Sequence, residues 1–230
     1  MRSIRLFSSV CFALVVLAGC ASVETKREAF PRMYDADQKP LTIVVVPAIN
    51  KTTASDAPEL INATLTQPLA DHGYYVLPIA ITSEIFNREG IVAGEQLLSA
   101  PMSVFKRSFG ADAVLFVTIN NWEKNYAVIA ANVTVAMSYV LISTTDREVL
   151  WSYEAALTVD TAGQSSGFIL ADLISTAIKT AVTDYVPIAS QVNLAAINVL
   201  PLGEYHPENG EDGDMEVVLT KLKENAVKME

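Results

Sequence analysis

Gly163-Gln164-Ser165-Ser166-Gly167 spells the G-x-S-x-G of a serine nucleophile, and it stands between a strand-like and a helix-like segment. On a strained turn such a serine attacks an acyl carbon when a histidine takes its proton and a carboxylate orients the ring. The chain holds 2 His: His72 precedes the motif at a helix end, and His206 follows it in "YHPENGEDGD". The segment ahead of the motif alternates polar and apolar residues, whereas a nucleophile elbow follows a buried parallel strand. The plainer reading is a polar turn in which Ser165 or Ser166 caps the next helix. Glu208, Glu211, Asp212, Asp214 and Glu216 would suit calcium, but counting from Glu208 the twelfth position is Leu219, where an EF-hand loop needs glutamate. The cluster reads as a solvated acidic tail. There is no C-x-x-C, H-E-x-x-H or glycine-rich phosphate loop, so no metal, no cofactor and no catalytic residue is assigned.

Two further groups of residues suit contact instead of catalysis. Ala48-Ile49-Asn50-Lys51-Thr52-Thr53 follows a strand-like run, at the carboxyl end where α/β sheets usually bind ligands. Asn50 and Lys51 are therefore candidate partner contacts, with a turn shaped by Asn50 as the competing reading. Trp122 stands where the chain turns and suits either packing or an interface anchor; Trp151 reads as packing.

Leu17-Ala18-Gly19-Cys20 ends an apolar run that begins at Leu6, behind Arg2 and Arg5. Positive residues followed by a short apolar stretch are the profile of a signal peptide, and the stretch is shorter than the roughly 20 residues of a membrane-spanning helix. The tetrapeptide looks like the lipobox of bacterial lipoproteins, which implies cleavage before Cys20 and acylation of that residue, including palmitate-type chains. Several chains, at about 0.8 kcal/mol per buried methylene, hold a protein durably where one does not. The only other cysteine, Cys11, lies inside the segment removed, so no intramolecular disulfide is expected. By analogy with lipoprotein sorting, Ala21 points to the outer membrane, with the body facing the periplasm.

Loss of Arg2 and Arg5 leaves 14 basic against 26 acidic residues, a formal charge of −12. Nucleic acid is excluded as an expected partner, because phosphate binding needs clustered Lys and Arg. The domain organisation read from composition is a signal peptide over 1–19, a lipidated N-terminus and tether over 20–40, one α/β domain over 41–202, and an acidic tail with a short helix over 203–230.

The elements follow from periodicity. Leu41 to Val46 is a β-branched run suited to a strand buried on both faces. Asp56-Ala57-Pro58-Glu59 reads as a capping box opening a helix with Ile61, Leu65 and Leu69 on one stripe, kinked by Pro68 and ended by Gly73. "YYVLPIA" closes a right-handed βαβ unit. Helices are expected over about Ser83 to Arg88 and about Glu95 to Phe109, stopped by Gly110. "ADAVLFVTIN" is a third buried strand. It leads into an antiparallel meander whose strands carry Val133, Val135, Met137, Tyr139, Leu141 and then Val149, Trp151, Tyr153, Ala155, Leu157 on one face. A helix from Ser165 to Tyr185 should cover the sheet, with a further short helix over Val192 to Leu200. The fold class is α/β, with a mixed sheet of about five strands covered by helices.

"LTIVVVPAIN", "DHGYYVLPI", "FGADAVLFVTINNW" and "LISTTDREVLWSYEA", in that order, resemble the small α/β domain shared by the TolB amino-terminal domain, CsgG-type secretion lipoproteins and LpoB-type activators of cell-wall synthases. With the lipobox and the length, the chain is most similar to a family of outer-membrane lipoproteins of unknown function often encoded beside CsgG-like proteins. The resemblance implies a non-catalytic envelope protein that binds other envelope components, a CsgG-like lipoprotein or a second copy of itself among them. It carries over no catalytic residue, and the chain lacks the extended membrane-inserting segments of a CsgG-type pore subunit. Activation of a peptidoglycan synthase is the alternative. There the leash matters, because 20 residues at about 3.5 Å each span only about 70 Å. A Ser165-dependent hydrolase is the third.

Overall fold

A computed structural model describes residues 22–126, 131–160 and 186–219. In chain order the elements are β1 (Ser22–Thr25), α1 (Lys26–Ala29), a 3₁₀ turn (Pro31–Tyr34), β2 (Thr42–Val45), β3 (Ile49–Asn50), α2 (Ala57–Ala63), α3 (Thr66–Asp71), β4 (Tyr75–Val76) and α4 (Ile79–Arg88). A 3₁₀ turn (Gly94–Leu97), α5 (Ser103–Phe109), β5 (Ala113–Tyr126), β6 (Ala131–Ser143), β7 (Val149–Asp160), α6 (Val186–Ile197), a last 3₁₀ turn (Glu211–Asp214) and β8 (Glu216–Leu219) complete them.

The main sheet runs β4-β2-β5-β6-β7, with β3 pairing β5. β2 is parallel to β4 and β5, whereas β5, β6 and β7 form an antiparallel meander. This is the mixed α/β sheet expected, with β3 as a sixth strand. β2 is buried on both faces because two helical layers sandwich it. Ile43 and Val45 face one core with Ile61, Leu65, Leu69, Val192 and Ile197; Val44 and Val46 face the other with Phe86, Leu97, Met102 and Phe105. The meander alternates as its sequence requires: Val135, Met137, Tyr139 and Leu141 are buried, and Ser138 and Val140 between them are half-exposed.

Proline and glycine set several boundaries. Pro68 does more than kink its helix. Its ring opposes the carbonyl of Thr64, and the helix divides there into α2 and α3. The helix expected from Glu95 to Phe109 likewise divides into the Gly94–Leu97 turn and α5, with Pro101 between them. Gly110 ends α5 at φ 70°, the left-handed conformation that favours glycine. Asp56 stands at the N-cap of α2 without a side-chain hydrogen bond to the helix, so the expected capping box is not made. α4 begins at Ile79, earlier than expected.

Two boundaries read from composition are corrected. Residues 22–40 do not form a tether: β1 pairs antiparallel with β8, Phe30 and Met33 enter the core, and Lys26 is buried. Residues 203–219 are likewise folded rather than a solvated tail, since Asp212 and Val217 are buried. The physical reason is mutual. Each segment alone lacks the apolar surface to fold, and each supplies the other's strand partner and counter-charge. The helix expected over 165–185 lies outside the described residues. Among those described, α6 covers the β6 and β7 face, packing Ile188, Val192 and Ile197 into the core beneath it.

Candidate functional site

Asn50 and Lys51 follow β2 and lie beside the far end of the parallel part of β5, where Asn50 pairs with Ile119 and the Lys51 N–H donates to the Ile119 carbonyl at 3.0 Å. The Asn50 side chain is spent on the turn. Its Nδ2 donates to the Ala54 carbonyl at 2.6 Å, and its Oδ1 accepts from the Thr52 N–H at 3.0 Å and the Thr52 hydroxyl at 2.8 Å. That geometry favours the reading of Asn50 as a turn former. Lys51 is exposed beside it. At the carboxyl end of β2, the usual ligand position in such a sheet, the chain continues as β3 along the same edge of β5. Gly94 packs against this join, where a Cβ on it would stand 2.3 Å from the Pro47 carbonyl oxygen, and Lys51 is exposed just beyond it.

Trp122 is 5 % exposed and belongs to the main core, so it packs instead of standing at the surface as an anchor. Trp151 is buried against Tyr139, with ring centroids 6.0 Å apart. Ser165 and Ser166 lie outside the described residues, as does Cys20. Of the two histidines that could serve a nucleophile, His72 donates from Nε2 to the Leu200 carbonyl at 3.1 Å, and His206 lies 6.4 Å from it, ring centroid to ring centroid. Among the described residues no group of His, Cys, Asp and Glu could hold a metal ion, and no helix is long and apolar enough to cross a membrane.

A feature with no counterpart in the sequence-based expectations lies at the opposite end of the sheet. Lys26 Nζ, almost wholly buried, spends its three donors on the Asn198 carbonyl (3.0 Å), the Leu200 carbonyl (3.1 Å) and Asp212 Oδ2 (3.0 Å). Asp212 Oδ2 also accepts from the Leu202 N–H at 3.0 Å. Around this pair Arg27 donates to the Gly210 carbonyl and lies 4.5 Å above the Tyr34 ring, packed so closely over Gly213 that a Cβ there would meet it at 2.3 Å. Lys39 pairs with Glu204, and Arg32 with Asp146. The result is a clamp fastening residues 25–39 to residues 198–215 and, through Arg32, to the β6–β7 turn. Its sequence signal was present: Thr25-Lys26-Arg27-Glu28 is a capping box, with the Glu28 carboxylate accepting from the Thr25 N–H at 2.9 Å and the Thr25 hydroxyl accepting from the Glu28 N–H at 3.3 Å.

The clamp also sets protonation. Burial, and then the charge of Lys26, hold His72 down at about 4, so its ring is neutral in the fold. Burial, followed by the Asp212 charge, pushes the Tyr34 and Tyr74 hydroxyls up; Tyr74 donates to the Pro201 carbonyl at 2.6 Å. Lys26, His72, Tyr74 and Asp212 Oδ2 all spend polar atoms on bonds between these segments, so the cluster reads as architecture. A histidine depressed from an ordinary 6.5 binds its proton more readily in the unfolded chain. Its contribution is therefore complete above pH 6.5 and is lost as pH falls toward 4. For a partly exposed ring this amounts to about 1–2 kcal/mol. His72→Gln should flatten the unfolding midpoint between pH 6.5 and 4, measured by urea titration at stepped pH; an unchanged slope would place the titration elsewhere.

With these elements placed, comparison with known proteins is direct. The family model "Putative lipoprotein GNA1162-like" matches residues 34–206. The chain belongs to the GNA1162-like lipoprotein family. It is similar to the Neisseria meningitidis serogroup B protein "Putative lipoprotein NMB1124/NMB1162", with 27% identity over 186 residues, 80% of this chain and 86% of that protein. The crystal structure of lipoprotein GNA1162 from Neisseria meningitidis superposes with a TM-score of 0.52 at 27% identity, covering 56% of this chain and 89% of that one. The LpoB C-terminal domain from Salmonella enterica gives 0.35 at 19% identity, over 58% of this chain and 95% of that one. A lipoprotein family implies an envelope protein anchored to a membrane, and the GNA1162 superposition agrees with the mixed α/β fold.

Proposed function

We propose that this protein is a lipid-anchored, non-catalytic binding module of a bacterial outer membrane, held by acyl chains on Cys20 with its body in the periplasm. It supports secretion or envelope assembly by contacting other envelope proteins, a CsgG-like lipoprotein being the partner class favoured by its sequence resemblance. The observation that carries this reading is membership of a lipoprotein family over residues 34–206, joined to a lipobox-like cysteine just ahead of β1. The exposed Lys51, set at the end of the sheet where β3 pairs with β5, supports a contact surface there. A photocrosslinker at Lys51, activated in living cells, tests the partner. An adduct with another envelope protein is expected; a self-adduct would favour the homodimer, and adducts no more abundant than from an unlabelled chain would overturn the use of this loop.

A further inference from the structure

The clamp has a geometric consequence once residue 20 carries the anchor, so the inference depends on the proposed acylation of Cys20. Cys20 lies two residues before β1, and a fully extended backbone places it within about 7 Å of Ser22 and within about 20 Å of Lys26. β1 pairs along its whole length with β8, Ser22 opposite Leu219 and Thr25 opposite Glu216, and the Lys26 N–H donates to the Met215 carbonyl at 2.9 Å. Lys26 is in turn tied to the Asn198 and Leu200 carbonyls and to Asp212. The chain is thus tied into the fold from Ser22 onward, two residues after the acylation site.

The position of this clamp along the sheet is fixed by its contacts. Arg32 pairs with Asp146 in the β6–β7 turn, and that turn adjoins the start of β5, where Ala113 pairs with Ser143. Asp112 Oδ2, one residue earlier, accepts from the Leu41 and Thr42 N–H groups and so pins the start of β2 to the same end. The Lys51 loop pairs at Ile119, six residues along β5 from Ala113. At about 3.3 Å per residue that is about 20 Å away, and the meander continues to Tyr126, about 40 Å from the start of β5.

We infer that the protein stands on its leaflet in one orientation, with the β1–β8 end against the lipid headgroups and the Lys51 loop and the far end of the β5–β6–β7 meander directed away from the membrane. Met215, 57 % exposed, and Val218 lie at the membrane end and fit the headgroup boundary. The exposed Glu28, Glu211, Asp214 and Glu216 stop that end from sinking into the acyl layer. Within about 8 Å at physiological ionic strength these charges repel an anionic surface, so the covalent leash, and not attraction by the body, holds this end at the membrane.

The mature acylated chain has no free thiol, so Met215→Cys and Lys51→Cys each provide one site for a fluorophore. The test uses full-length lipidated protein reconstituted into phosphatidylethanolamine–phosphatidylglycerol vesicles bearing a headgroup-attached quencher. A large loss of emission is expected at position 215 and none at 51. Inserting a flexible twenty-residue Gly-Ser segment between Cys20 and Ala21, about 25 Å in r.m.s. length, should abolish the difference while leaving the protein on the vesicles. Equal quenching of the two labels in acylated, vesicle-bound protein would overturn the fixed orientation alone. A difference that survives the insertion would show adhesion by the body and overturn control by the leash. Protein that is neither acylated nor vesicle-bound would overturn the acylation of Cys20 and this inference with it.

Discussion

Lys26→Met is expected to destabilise the protein by about 3–5 kcal/mol, because it leaves the Asp212 carboxylate buried without its counter-charge. The Asn198 and Leu200 carbonyls lose their donor in the same step. Against a typical domain stability of about 5–15 kcal/mol, that is a large fraction of the whole. The loss should register as a lower urea midpoint and as faster proteolysis within residues 26–40. Removing both charges, as Lys26→Met with Asp212→Leu, should cost less than Lys26→Met alone, since no uncompensated charge then remains. A single variant within about 0.5 kcal/mol of wild type would mean that the pair does not hold the clamp.

Asn193→Ala is the second large effect, at about 2–4 kcal/mol. Asn193 is completely buried on α6 and joins three elements: its Oδ1 accepts from the Tyr139 hydroxyl of β6 at 2.7 Å, and its Nδ2 donates to the Ile61 carbonyl at 3.1 Å and to the Thr64 hydroxyl at 2.8 Å. Truncation strands the Tyr139 hydroxyl in the core, where its other acceptor among the described residues is the weakly accepting Met137 sulfur at 3.7 Å. A Tyr139→Phe change on the Asn193→Ala background should recover part of the loss by removing the stranded donor. Additive losses in chemical denaturation would contradict that coupling.

How much of the fold is legible in the sequence depends on how local each signal is. The β2 run, the alternation of β6 and of β7 from Trp151 onward, and the stops at Gly73 and Gly110 depend on spacing within a dozen residues, and each stands in the fold where spacing placed it. At the start of β7 a register shift instead pairs Val149 with Ile142 of the second core and puts Leu150 beside Trp151 in the first. The Lys26–Asp212 pair spans 186 positions, and nothing local marks either residue as a buried partner. Mixed charge at 21–40 therefore reads as a leash, and acidity at 203–230 as a solvated tail. Asn193 sits with Ser190 and Gln191 in a mainly apolar helix, and its three partners on β6, α2 and the α2–α3 joint give no sequence signal. Of the candidate contacts, Asn50 is legible as a turn former from its type and place. The burial of Trp122 depends on tertiary packing and is not. The local capping box at Thr25 and Glu28 is the one readable sign that folding begins before residue 40.

Both the proposed function and the fixed orientation depend on acyl chains at residue 20. Metabolic labelling of cells with a radioactive fatty acid, comparing wild type with Cys20→Ser and followed by fractionation of the envelope, addresses this most directly. Label incorporated into wild type and lost in Cys20→Ser, with the variant released from the membrane fraction, is the result expected. Equal labelling of both chains, or wild-type protein recovered unacylated in the soluble periplasm, would contradict it.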